Sequence, residues 1–190
     1  TQSYQWNQVL GSTLVNNVIA TGSQAAPAIA ALADGSGYFT TWDTSGSALD
    51  IGGRLINANG TFVANEFPVN STTTSNQSDS SSAALSNGNI VVTYTDSSSG
   101  TDAIRAQLFT SSGTPVGSSI VVGPSVEPNT LSDVAALADG GFVVTWTRDF
   151  GFGDKDVYAR TYDSDGTPRG GLITVDNASN LNTNSSQVVG

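Results

Sequence analysis

One motif occurs three times in the chain, and its period of 52–53 residues constrains the fold more than any other feature. Leu32-Ala33-Asp34-Gly35, Leu85-Ser86-Asn87-Gly88 and Leu137-Ala138-Asp139-Gly140 each precede a run ending in an aromatic residue. The runs close at Trp42, Tyr94 and Trp146, 52 residues apart both times. Gly60, Gly113 and Gly166 recur at a spacing of 53, and nine residues after each stands Val69, Val122 or Val175. Part of a further copy precedes the three: Gly11 lies 49 residues before Gly60, and residues 14–20 resemble the segment that follows each turn glycine. Another opens at residues 185–190.

Each copy reads as four short strands. In the third copy they cover 134–137, 141–147, 156–162 and 172–175. The Asp-Gly or Asn-Gly pair between the first two is a hairpin cue, and it predicts a tight primed turn with positive φ at both central residues. Asn57-Ala58-Asn59-Gly60 and Asp163-Ser164-Asp165-Gly166 turn the chain between the last two. No window holds a sustained 3.6-residue apolar pattern, so almost no helix is expected. Alternation places Ile104, Ala106 and Leu108 on one face and Arg105, Gln107 and Phe109 on the other. Both faces carry apolar bulk, as in a small sheet covered on both sides. The first strand, Ala28-Ile29-Ala30-Ala31-Leu32, is small and apolar and suits a crowded central position.

Four-stranded units of this length, none able to bury its faces alone, predict an all-β, β-propeller-like array of antiparallel blades. A β-solenoid has shorter rungs, and a β-sandwich does not require the period. The expected organisation is one repeat domain: a partial repeat at 1–24, repeats at 25–76, 77–128 and 129–180, and a new start at 181–190. Open ends of this kind are met by imperfect closure, by a longer array, or by a neighbouring chain. The last is self-assembly, and a head-to-tail contact that fails to close makes a filament.

Composition removes several chemistries. There is no Cys and no His, which excludes disulfides, zinc–thiolate sites and the usual Ser–His and Cys–His relays. Six basic residues against 16 acidic ones speak against nucleic-acid binding. The longest apolar run falls far short of the roughly 18 residues of a membrane helix, so no membrane insertion is expected. Absent Met indicates a mature or excised piece. Low Lys and Glu with 84 Ser, Thr, Asn and Gly residues points to an extracellular or cell-surface location.

The run from Leu137 through Trp146, then Asp156-Val157-Tyr158-Ala159-Arg160-Thr161-Tyr162-Asp163 and Gly166, resembles a tandem repeat of large secreted bacterial surface proteins. These are type I-secreted, RTX-associated and adhesin-like chains. The resemblance covers nearly the whole sequence and implies a scaffold built of stacked repeats. The nonapeptide calcium repeat Gly-Gly-x-Gly-x-Asp is absent.

Three groups of residues are candidates for chemistry. Asp149, Asp154 and Asp156 form the densest acidic cluster and are the candidate calcium ligands, calcium being a hard cation that takes oxygen donors. Asp163 and Asp165 read as turn formers, because Asn57/Asn59 and Thr110/Ser112 fill the same positions. Trp42, Tyr94 and Trp146 are either inter-blade core or a set of sugar-stacking rings. Phe150 and Phe152 lie in a glycine-rich stretch with no counterpart in the other copies, as a contact site or a cap over a neighbouring repeat. Arg54 and Arg160 share one repeat position with Gln107, which suits a planar donor to backbone carbonyls or to an Asp between blades. Nothing marks a catalytic carboxylate pair, so no enzyme is expected. The leading expectation is a non-catalytic extracellular scaffold or adhesion module, with copies of itself or adjacent repeats of a parent chain as partners. The alternative is a carbohydrate-binding propeller module that takes glycans, with calcium as an assisting ion.

Overall fold

The computed structural model describes residues 14–16, 22–45 and 50–176. The predicted strand over 14–20 falls mostly outside them, as do Gly11 and the copy that opens at 185–190. Twelve strands and no helix are found among the described residues. They run β1 Gln24–Ala31, β2 Gly37–Thr44, β3 Asp50–Asn57, β4 Phe67–Pro68, β5 Gln77–Ala84, β6 Ile90–Asp96, β7 Ala103–Phe109, β8 Pro115–Gly123, β9 Asn129–Ala136, β10 Phe142–Gly151, β11 Asp154–Tyr162 and β12 Ile173–Asp176. Each set of four forms one antiparallel sheet in sequence order, giving three blades. The first strands β1, β5 and β9 are the inner ones. Strand β5 packs across blade 1, and β9 packs across blade 2.

The stacking follows from side-chain alternation. One face of blade 1, with Phe39, Ile51, Leu55 and Val69, meets Ile90, Val92, Tyr94 and Phe109 of blade 2. The opposite face of blade 2, with Val91, Ile104, Ala106, Leu108 and Val122, meets Phe142, Val144, Trp146, Tyr158 and Tyr162 of blade 3. Blade 2 is thus buried on both sides, as its sequence requires. Inner strand β1 departs from expectation: it is central but not crowded, and Ile29 is 65% exposed.

The turns differ from the primed type expected. In each, only the glycine has positive φ, as at Gly88 (87°) and Gly166 (88°). Leu85 N–H donates to Asn89 O and Gly88 N–H donates to Leu85 O, closing a three-residue loop. The residue before the glycine stays right-handed because its side chain has another task. Asn87 Oδ1 accepts from Asn89 N–H at 2.9 Å, and Asp139, Asn59 and Asp165 accept from the N–H two residues on in the same way. The acidic pair Asp163/Asp165 is therefore turn chemistry, with Arg169 Nε donating to Asp163 at 2.6 Å.

Candidate functional site

The repeated aromatics sit between blades. Tyr94 and Trp146 are each 1% exposed. Burial pushes the Tyr94 hydroxyl up to about 12. Trp146 stacks on Tyr158 with centroids 6.1 Å apart, and its Nε1 donates to Asn129 Oδ1 at 3.0 Å. These two rings are core and are closed to a ligand. Trp42 differs, because it lies on the face of blade 1 that points away from blade 2. It lines a cavity of about 240 Å³ with Val15, Asn16, Gln24, Ala25 and Pro27, and its Nε1 is buried without a partner.

Register explains a residue set that the sequence reading missed. Gln24, Gln77 and Asn129 each open an inner strand, at spacings of 53 and 52. They pair with Thr44, Asp96 and Arg148, two residues beyond the aromatics. Two residues after each amide the backbone is left-handed, at Ala26 (φ 46°), Asp79 (54°) and Leu131 (55°). A register shift marks the same place in all three ladders, so each inner strand carries one bulge. The amide at this period was visible in the sequence, but Ala, Asp and Leu carry no signal for left-handed backbone.

Hydroxyls join the blades beside these bulges. Thr41 Oγ1 and Ser80 Oγ are 2.8 Å apart, and Ser132 Oγ donates to Thr93 Oγ1 at 3.2 Å. Asp79 N–H donates to the Asp43 carboxylate at 3.2 Å. Burial pushes the Asp43 carboxyl up to about 6, and the nearby Asp79 charge adds to the rise.

The stretch around Phe150 and Phe152 is a hairpin rather than an open loop. Strands β10 and β11 run on to Gly151 and Asp154, leaving Phe152 and Gly153 as a two-residue tip. Both tip residues have positive φ (54° and 89°), the primed geometry expected elsewhere. Phe152 is fully exposed, and Phe150 is 40% exposed with the Arg148 guanidinium 5.5 Å from its ring. Phe152, fully exposed, covers no neighbouring blade.

The same hairpin separates the candidate calcium ligands. Asp149 pairs across the strands with Lys155, and Arg148 with Asp156, so Asp149 and Asp156 point to opposite faces. Asp149 is held below the usual carboxylate range by the Gly151 N–H and then by Lys155, whose Nζ is 3.3 Å away. Asp156 is raised by burial and by the charges of Asp154 and Asp176. Among the described residues no three acidic side chains meet in a way that holds a metal ion.

At the shared arginine position Arg54 and Gln107 act as carbonyl donors, whereas Arg160 Nε is buried without a partner. Arg54 donates to Val15 O at 2.6 Å and to Ala64 O at 3.2 Å, and its guanidinium lies 3.4 Å from the centre of the Phe62 ring. Gln107 donates to Leu108 O at 2.9 Å.

No family model matches the sequence, and no curated protein matches it significantly. Solved structures do match. One is a subtype N10 neuraminidase-like protein of A/little yellow-shouldered bat/Guatemala/060/2010, with a TM-score of 0.57 at 11% identity. That match covers 84% of this chain and 45% of the other. A second is the endo-arabinase of Bacteroides thetaiotaomicron VPI-5482, with a TM-score of 0.47 at 14% identity over 74% of this chain and 58% of that one. The chain therefore spans about half the length of these structures. The first likeness agrees with the blade array seen here, and at such identity it speaks for fold alone.

Proposed function

We propose that this chain is a non-catalytic scaffold and adhesion module of a secreted or cell-surface protein, working through contact surfaces carried on stacked blades. The observation that carries the reading is the blade 3 hairpin. Its tip holds a fully exposed Phe152 in a left-handed conformation between two positive-φ glycines, and neither other blade has it. An apolar ring held out on a short, geometrically fixed turn costs solubility and backbone strain, and a contact offsets that cost. The repeated aromatics Tyr94 and Trp146 are spent on blade packing. The compositional balance and the resemblance to type I-secreted repeats support the location and the partner class, which is copies of this chain or adjacent repeats. Light scattering on a sizing column, across concentration, tests it. Self-association is expected in the native chain and its loss in Phe150→Ser/Phe152→Ser. A native chain that stays monomeric throughout overturns self-association.

The Trp42 cavity favours a second reading, a carbohydrate-binding module. An indole face with an unpartnered N–H, beside the amides of Gln24 and Asn16, suits a sugar ring and its hydroxyls. Glycan-array binding lost in Trp42→Ala is the expected result. Absence of binding both with and without calcium overturns this second reading.

A further inference from the structure

The face of blade 3 that points away from blade 2 repeats a docking surface twice filled within the molecule. On blade 1 that surface receives β5, and on blade 2 it receives β9. Its hydroxyl is Thr41, then Thr93, each bonded to a serine of the arriving strand, Ser80 and Ser132. The third equivalent is Thr145, whose Oγ1 is buried without a partner. Val69 and Val122 are 3% and 2% exposed where a blade follows, but Val175 is 58% exposed. The surface is present and its usual hydroxyl partner is missing.

The arriving strands share a short signature: an amide, one residue, a left-handed residue, then in β5 and β9 a serine. It reads Gln77-Ser78-Asp79-Ser80 and Asn129-Thr130-Leu131-Ser132. The same pattern recurs 53 residues on, as Asn182-Thr183-Asn184-Ser185. Asn, with its short polar side chain, is one of the few residues that visit the left-handed region readily. Val188 and Val189 then stand where Ala135 and Ala136 stand in β9. The linker length also agrees. Five residues, 124–128, separate β8 from β9, and five residues, 177–181, separate β12 from Asn182. Residues 182–189 carry no charge, so they bring no repulsion to a face that carries Asp149 and Asp176.

We infer that residues 182–189 of the same chain dock on the free face of blade 3 as the inner strand of a fourth blade, with the Ser185 hydroxyl bonded to Thr145. The inference goes beyond the contact function and rests on blade stacking alone. Docked there, the strand presents a fresh unpaired edge, the element to which a further repeat or another chain adds its own strands.

Paired cysteines test this directly, because the chain has no cysteine of its own. Thr145→Cys/Ser185→Cys is compared with Thr93→Cys/Ser132→Cys, which reproduces an observed contact, and with Thr145→Cys/Ser186→Cys, whose second site points to the other face. Mild oxidation is followed by thiol titration and by mobility on a non-reducing gel. The expected result is an intramolecular disulfide in Thr145→Cys/Ser185→Cys at a rate within about threefold of the Thr93/Ser132 pair. The Ser186 variant is expected to lag by about tenfold or more. Equal rates for Ser185 and Ser186, or disulfides only between chains, overturn the inference and leave the scaffold reading standing. Failure of the Thr93/Ser132 pair overturns blade stacking and the inference with it.

Discussion

Trp146 and Trp42 occupy one position of the repeat, yet only Trp146 has a partner for its indole N–H. The difference comes from what lies opposite, since Asn129 reaches Trp146 while Trp42 looks into a cavity. Asp43 shows the same dependence on place. Its equivalents are Thr95 and Thr147, all three buried, so a carboxylate stands where a hydroxyl suffices elsewhere. Its carboxyl is raised from 3.8 to about 6, chiefly by burial. The folded state therefore binds the proton more tightly than the unfolded state. The stabilisation from Asp43 is complete below about pH 4, falls as pH rises toward 6, and is gone at neutral pH. Asp43→Asn should raise stability at pH 7 and remove that fall between pH 4 and 6. Urea midpoints across this range measure it, and a variant with an unchanged pH profile sinks the assignment.

The strands and their grouping into fours were legible because the glycine-bearing turns and the alternating runs both repeat. The turn type was not, because Asp-Gly is shared by two geometries. The hydrogen bond that Gly141 N–H donates to the Asp139 side chain selects the right-handed form, and among the described residues only the hairpin tip at Phe152-Gly153 takes the primed one. The site was legible in part. Phe150 and Phe152 stood out as unmatched residues, but spacing alone could not separate Asp149 from Asp156 across a hairpin. The inner-strand bulges were hidden, since Ala26 and Leu131 are poor left-handed residues held in place by pairing on both sides of them. That strain is removable. Leu131 is 42% exposed, so replacing it forfeits little packing. Leu131→Asn is expected to stabilise the fold by about 0.5–1 kcal/mol, because Asn tolerates this backbone far better. Thermal melts check it, and a melting temperature at or below that of the native chain refutes it.

At the scale of the molecule, each blade touches only its neighbours, so stability is the sum of blade terms and interface terms. Among the described residues blade 2 belongs to both blade interfaces, while blades 1 and 3 each belong to one. Phe39 anchors the first interface, stacked 5.9 Å from Phe67 of its own blade and tilted against Phe109 of blade 2 at 6.3 Å. Phe142 anchors the second, 4.9 Å from Tyr162. Truncating either to alanine costs about 3–5 kcal/mol of buried contact. The loss falls on one interface only, so it should release one blade. Hydrogen exchange resolves this strand by strand. Phe39→Ala is expected to speed exchange in β1–β3 while β9–β11 keep their protection, and Phe142→Ala to do the reverse. In both variants β6 and β7 should remain the slowest, because each retains one packed face. Uniform acceleration through all three sheets in either variant would mean that the blades unfold as one unit, and the nearest-neighbour account of this chain would fail.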